Sequence, residues 1–206
     1  MPLNNQQLKM LDRLPQEVHD FLSEQEVVNR MEYTKRNTGA PVYEIISRLI
    51  LGAVQLSDSE RVLEQEYGMS AENRVVIQHL LNEIDLKKMI RLSREALEIS
   101  RIQCLIAQEA QTLLSATAGD ISKVVKEMIT SQQKCAGLRV VAAGMILANA
   151  GEIDRWLMLP DFASLLAGER DRKEQVRLAL AQVLVDHCHV LEDEAGMMIE
   201  CVVSRM

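Results

Sequence analysis

The densest group of reactive side chains in the chain is Asp186-His187-Cys188-His189, followed closely by Glu192-Asp193-Glu194. On a continuous helix, Asp186 and His189 share a face at i, i+3, as do His189 and Glu192, while His189 and Asp193 share one at i, i+4. Carboxylate and imidazole at that spacing can ligate a metal from the core of a helical bundle. Di-iron bundles, however, use two carboxylate-x-x-His pairs and two further carboxylates, and no second pair exists here. His187 and His189, two residues apart, point to different faces. The competing reading is a polar helix face with solvated or capping histidines. It is the one adopted, so no metal ligand and no cofactor is expected.

A second constellation spans residues 58–84, where a helical stretch, a glycine turn at Gly68 and another helical stretch suggest a helix-turn-helix. Tyr67 supplies the apolar residue before the turn, and Met69 and Ile77 fall at core positions of such a motif. Two features weigh against DNA reading. Glu64 stands where a small residue normally lets the helices touch. The would-be recognition helix offers only Asn73, Arg74 and Gln78 as base-reading groups, among Glu72, Val75 and Val76. A structural helical hairpin is the leading interpretation, and a helix-turn-helix DNA-binding regulator is kept as the alternative.

Two more features point to partners. Lys87, Lys88, Arg91, Arg94 and Arg101 form a basic stripe suited to an acidic partner or a phosphate, although interleaved Glu95 and Glu98 can neutralise it at helical spacing. Met197, Met198 and Met206 cluster with Cys201, Val202 and Val203 at the C-terminus. Flexible thioethers fill irregular core gaps, and they also suit adaptable binding surfaces where the last turns are exposed. Lys87, Arg91, Arg94, Arg101, Met197 and Met198 are therefore the candidate partner-binding residues.

Enzymatic motifs are missing. The sequence has no GxSxG, HExxH, P-loop or helix-opening GxGxxG, and His19 and His79 stand apart from any nucleophile in sequence. No catalytic residue is assigned. Cys104, Cys135, Cys188 and Cys201 form no CxxC pair and lie in helical patterns beside apolar neighbours, so they read as buried free thiols of a reducing compartment.

The elements that must position these residues are announced by glycine. Gly39, Gly68, Gly119, Gly151 and Gly168 each close a helix-compatible stretch, and Pro41, Ser70, Asp120, Asp154 and Asp171 follow as start signals. The composition agrees: 48% of residues are hydrophobic but only 3% aromatic. Leu, Ala, Met and Ile dominate, and the β-branched and aromatic runs of strands are sparse. Predicted helices cover about 4–14, 15–22, a third from a Ser23–Glu26 capping box to Asn37–Gly39, then 42–56, 58–67 and 71–84. In the last of these, Val75, Val76, Ile77, Leu80, Leu81 and Ile84 are expected to face inward. Residues 86–116 carry no proline or glycine and read as one long helix with a stripe through Met89, Leu92, Ala96, Ile99, Ile102, Ile106, Ala110 and Leu113. Further helices are expected over 121–134, 138–149, 162–167 and 172–203. The small residues Ala142, Ala143, Gly144 and Ala148 permit close helix approach.

Together these readings describe an all-α protein, a bundle of about eight helices, with a short-helix N-terminal subdomain at 1–85 and a long-helix bundle at 86–206. The net charge of −7 divides evenly, −3 for residues 1–103 and −4 for 104–206, so neither half is basic and bulk attraction to nucleic acid is disfavoured. The most apolar stretch, Leu138–Ala150, is shorter than the roughly 20 residues needed to span a bilayer. No apolar signal segment is visible near Asn4–Gln7, so a cytoplasmic location is expected. The leading functional expectation is a non-enzymatic helical protein–protein interaction module, an adaptor, regulator or assembly subunit, with homodimerisation among its options.

Overall fold

A computed structural model describes residues 3–206. Among these residues the chain is all-α, with no strand and twelve helices: α1 (Asn5–Leu11), α2 (Gln16–Ser23), α3 (Gln25–Thr38), α4 (Val42–Ile50), α5 (Ser59–Gln65), α6 (Ala71–Glu83), α7 (Leu86–Thr117), α8 (Ile121–Gln133), α9 (Gly137–Asn149), α10 (Asp154–Leu157), α11 (Arg172–Ala181) and α12 (Glu192–Val203). None of them is long and apolar enough to cross a membrane. The count exceeds the expected eight: the individually predicted stretches already number eleven, and of these 162–167 forms no helix, 172–203 forms two, α11 and α12, and α10 is additional. The chain forms two compact units, one ending at Glu98 and the other running from Ile99 to Met206.

Local chemistry explains most boundaries. The five glycines that end predicted helices all take positive φ, for example +73° at Gly39 and +72° at Gly119, a region costly for residues with a Cβ. Side-chain caps start three of the helices that follow: Ser70 accepts from the Asn73 amide, Asp120 from Ser122 and Lys123, and Asp171 from Lys173 and Glu174, whereas α4 after Pro41 has no side-chain cap and Asp154 is the first residue of α10 rather than its cap. The Ser23–Glu26 capping box does not form. Ser23 Oγ instead donates back to the carbonyls of His19 and Asp20, and the α3 N-cap, Glu24, makes no capping bond. The true capping box lies at α1, where Asn4 and Gln7 bond reciprocally.

The N-terminal unit packs α2, α3, α4, α5 and α6 around a core that includes Val18, Ile46, Leu49, Ile50, Leu63, Ile77 and Leu86. α4 stops at Ile50 rather than near 56, because Gly52 turns the chain at φ +70°. The C-terminal unit is built on α9, which packs against α8 and α12. Its small-residue face permits the expected close approach: a Cβ on Gly144 would sit 3.3 Å from Met128 Cε and 3.5 Å from Val202 Cγ2. Trp156 and Phe162 meet edge to face with ring centroids 4.7 Å apart, both buried in this core. The predicted helix at 162–167 is absent; a 3₁₀ turn at Pro160–Phe162 leads into turns instead.

The long helix α7 has the predicted extent, but its stripe is not uniformly buried. Met89 belongs to the N-terminal core, while Ile102, Ile106, Ala110 and Leu113 belong to the C-terminal one. Between them Ile99 is 39% exposed.

The largest correction is at the C-terminus. The predicted 172–203 helix is broken into α11, a π-helical turn at Gln182–His187, and α12. His189 takes φ +56°, and the Val190 amide closes back on the Leu184 carbonyl at 2.9 Å. Residues 182–191, where the break falls, hold no glycine or proline, so nothing in the helical period marks the stop. Histidine makes it by entering the left-handed region.

Candidate functional site

The break at His189 removes the geometry on which the metal reading depended. With His189 outside any helix, Asp186, His189, Glu192 and Asp193 no longer share a helical face. Among the described residues, no group of three or more His, Cys, Asp or Glu side chains is arranged to hold a metal ion.

The helix-turn-helix segment forms as two helices, α5 and α6, but its polar side chains are occupied within the chain. Arg74 Nη1 donates to the Met69 carbonyl at 3.0 Å and lies 3.4 Å from Glu64. Asn73 Nδ2 donates to the Thr38 carbonyl at 3.3 Å, and Gln78 Nε2 to Ser59 Oγ at 2.9 Å. All three candidate base-reading groups thus brace the N-terminal unit. Beside them, Tyr67 is a polar clamp rather than simply an apolar turn residue. Its hydroxyl donates to Glu44 at 2.8 Å and accepts from Arg48 Nη1 at 2.9 Å, and the same nitrogen reaches Glu66 at 2.7 Å. The Glu66 hydrogen bond holds the mostly buried Arg48 guanidinium firmly charged and, in turn, pulls the Glu66 carboxyl below its usual range. Burial pushes the Tyr67 phenol up. This network pins α4 to the turn between α5 and α6.

The basic stripe on α7 is not a uniform positive surface. Arg94 donates to Gln55 at 2.6 Å, Arg91 lies 3.8 Å from Glu95, and Lys87 and Arg101 are exposed. Lys88 borders a shallow hollow together with the carboxylates Glu17, Asp20, Glu24 and Asp85. At the C-terminus the methionines fill core. Met198 is 7% exposed, and Met197 and Met206 pack half-buried against the same cluster, so the exposure that a partner surface needs fails at Met198.

The cysteines also depart from expectation. None is buried: Cys104 and Cys135 are exposed, and Cys188 and Cys201 are half-buried. Cys135, at φ +54°, lies beyond the end of α8.

The open apolar site lies elsewhere, between α3 and α6. A groove of about 800 Å³ runs between these two helices. Its floor is Thr34 and Leu80, 4% and 3% exposed, and its apolar walls are Tyr33, Val75 and Val76, of which Tyr33 and Val75 are each 68% exposed. Val75 and Val76 were expected to face inward, but they do not. The buried stripe of α6 is Ile77, Leu80, Leu81 and Ile84. At about 100° per residue, Val75 stands some 200° from Ile77, off that stripe. The same arithmetic read from the sequence marks Val75 as surplus and puts Val76 about 40° from Leu80, at the edge of the stripe; Val75 is the signal that could have found the groove.

A polar frame sets the groove's edge. Arg30 on α3 bonds Glu26 of its own helix at 2.7 Å and Glu83 of α6 at 3.0 Å, and His79 Nδ1 lies 3.2 Å from Glu83. Gln25 donates to Asn29 at 2.9 Å along the same rim. The bond to Glu26, the strongest influence, raises the Arg30 pKa further above its ordinary value, so the strut between the helices stays charged. The site offers apolar surface in a charged frame.

Comparison with protein-family models, with curated proteins and with solved structures found no match.

Proposed function

We propose that this chain is a non-enzymatic helical interaction module, an adaptor or assembly subunit, and that it receives an amphipathic helix of a partner protein in the α3–α6 groove. The observation that carries this reading is the exposed set Tyr33, Val75 and Val76 around the buried floor of Thr34 and Leu80. Single exposed apolar residues are ordinary on protein surfaces, but a concave group with an aromatic wall is a mark of recognition surfaces. A partner helix would place its anchors at i, i+3, i+4 and i+7 over this floor. The rim supplies polar groups at its edge: Arg30 orients Glu26 and Glu83, and Gln25, Asn29 and His79 present donors and acceptors. On this reading the contact surface differs from the Lys87–Arg101 face and the C-terminal methionines.

Native mass spectrometry of the chain purified gently from its own host tests the proposal. The expected result is a stoichiometric polypeptide, or a second copy of the chain, that is lost when Val75→Asp and Val76→Asp are combined. The double variant should weaken binding by roughly 2 kcal/mol or more, the scale of a disrupted anchor pocket. A partner held equally by wild type and double variant would remove the groove from consideration.

A further inference from the structure

In the C-terminal unit, two helix ends that use left-handed residues other than glycine lie against each other. α8 ends at Gln133, with Cys135 two residues beyond at φ +54°, and the π-helical turn ends at His187, followed by Cys188 and then His189 at φ +56°. The Cys135 thiol donates to the His187 carbonyl at 3.2 Å, on the residue that immediately precedes Cys188. Gly137, the first residue of α9, permits this approach: a Cβ there would stand 3.1 Å from Leu184 Cδ2, 3.3 Å from Val190 Cγ2 and 3.9 Å from Cys188 Cβ. The Cys135 sulfur thus lies against the backbone of the residue next to Cys188, although the two cysteines are 53 positions apart in sequence. Cys135 is exposed and Cys188 half-buried.

We propose that Cys135 and Cys188 form a reversible dithiol–disulfide site that is oxidised by hydroperoxides. Exposure makes Cys135 the first sulfur an oxidant meets. Its thiolate attacks the terminal peroxide oxygen, the O–O bond breaks, and Cys135 becomes a sulfenic acid while the leaving oxygen departs as water or an alcohol after taking a proton. Cys188 then attacks the Cys135 sulfur. The S–S bond forms, the S–O bond breaks, and the hydroxyl leaves as water with the Cys188 proton. The two thiols lose two electrons and two protons in total, and the peroxide is reduced by the same two electrons. Burial, with Cys135 as a lesser influence, pushes the Cys188 thiol up, which suits the slower, resolving partner. The bond would tie the α8–α9 corner to the π-helical turn and close the loop between residues 135 and 188.

The test treats the intact chain with hydrogen peroxide, alkylates the remaining thiols and maps the peptides. The expected product is two hydrogens lighter, with the Cys135 and Cys188 peptides joined, and dithiothreitol restores both thiols. Cys104, exposed on α7, is the internal control and should stay alkylatable when the link is complete. Cys135→Ser and Cys188→Ser should each abolish the link, and Cys104→Ser should leave it intact. The oxidised form should also unfold at higher temperature than the reduced form, because the closed loop restricts the unfolded chain. Accumulation of sulfinic acid at Cys135 with Cys188 still alkylatable would overturn the proposal, as would links to Cys104 formed as readily as to Cys188. The primary readout uses the wild-type chain, so it does not depend on any variant folding.

Discussion

α9 in the C-terminal unit and α6 in the N-terminal unit are both rich in apolar residues, yet one is sealed and the other is left open. α9 buries Val140 to Gly144 and Ile146 to Ala148, because α8 and α12 cover it and its small residues let them approach closely. α6 is packed by α3 and α5, and it keeps Val75 and Val76 in the open, beside Tyr33. The number of apolar residues is not what decides it, since α6 has six among thirteen against nine among thirteen in α9 and still leaves Val75 and Val76 exposed. What distinguishes them is whether the neighbours supply enough surface to cover every apolar position. Apolar area left uncovered in a concave frame is the mark of a binding site, whereas covered area is the source of stability.

This contrast can be broken or sharpened by substitution. The largest effect is expected in the sealed unit. Trp156→Ala removes a fully buried ring that packs on Phe162 and donates to Gln132 at 3.3 Å. It should cost about 3–5 kcal/mol in denaturant unfolding, and a loss below 1 kcal/mol would show that the core can collapse around the gap. Next comes the clamp of the N-terminal unit. Arg48→Ala strips Glu66 and Tyr67 of their shared donor and should cost about 1–3 kcal/mol, again by denaturant titration. An unchanged midpoint would mean that the turn between α5 and α6 holds without it.

Acid should act on the same clamp. The Glu66 carboxyl titrates below its ordinary value of 4.5 in the folded chain. The folded state therefore binds fewer protons than the unfolded chain in the window just below that value, so its contribution is present above 4.5 and is lost as pH falls through the lowered value. Thermal midpoints of wild type and Glu66→Gln should converge as pH drops through this window. Midpoints that run parallel down to low pH would refute the coupling.

The smallest effects on stability belong to the open groove and the basic stripe. Val75→Asp and Val76→Asp change exposed side chains and should each alter unfolding free energy by no more than about 0.5 kcal/mol, even as they disrupt partner binding. A large destabilisation would mean that the valines are needed for folding and would weaken the reading of the groove as a site. Arg91→Glu, whose native partner Glu95 lies 3.8 Å away on an exposed pair, should shift stability by less than about 0.5 kcal/mol and leave partner affinity unchanged. A loss of affinity would return the contact surface to the α7 stripe.

Much of the fold was legible in one dimension, because its signals act within a few residues. Gly39, Gly68 and Gly119 end helices through their own backbone freedom, and Ser70, Asp120 and Asp171 start them through bonds to amides two or three residues away. The extent of α7 followed from a long run without glycine or proline. The errors arose where a helix ends without those residues. His189 and Cys135 take a conformation beyond helix ends that their side chains do not advertise, so the 172–203 helix read as continuous and Cys135 and Cys188 read as helical, whereas Cys104 and Cys201 do lie in helices. The candidate site was less legible still. Tyr33 and Val75 lie in different helices, and no periodicity connects them.

The sequence by itself determined the helical class, the principal turns and the absence of known catalytic motifs, since propensity, capping and local spacing are properties of neighbours along the chain. Tertiary structure alone decided which apolar residues are covered, which arginines are tied down by carboxylates outside their own helices, and that Cys135 lies against the π-helical turn. Those outcomes depend on contacts between residues far apart in sequence, such as Arg30 with Glu83 and Cys135 with His187. Their physical cause is packing: side chains brought together by the folded chain compete for the same limited surface, and the ones left over are available for function.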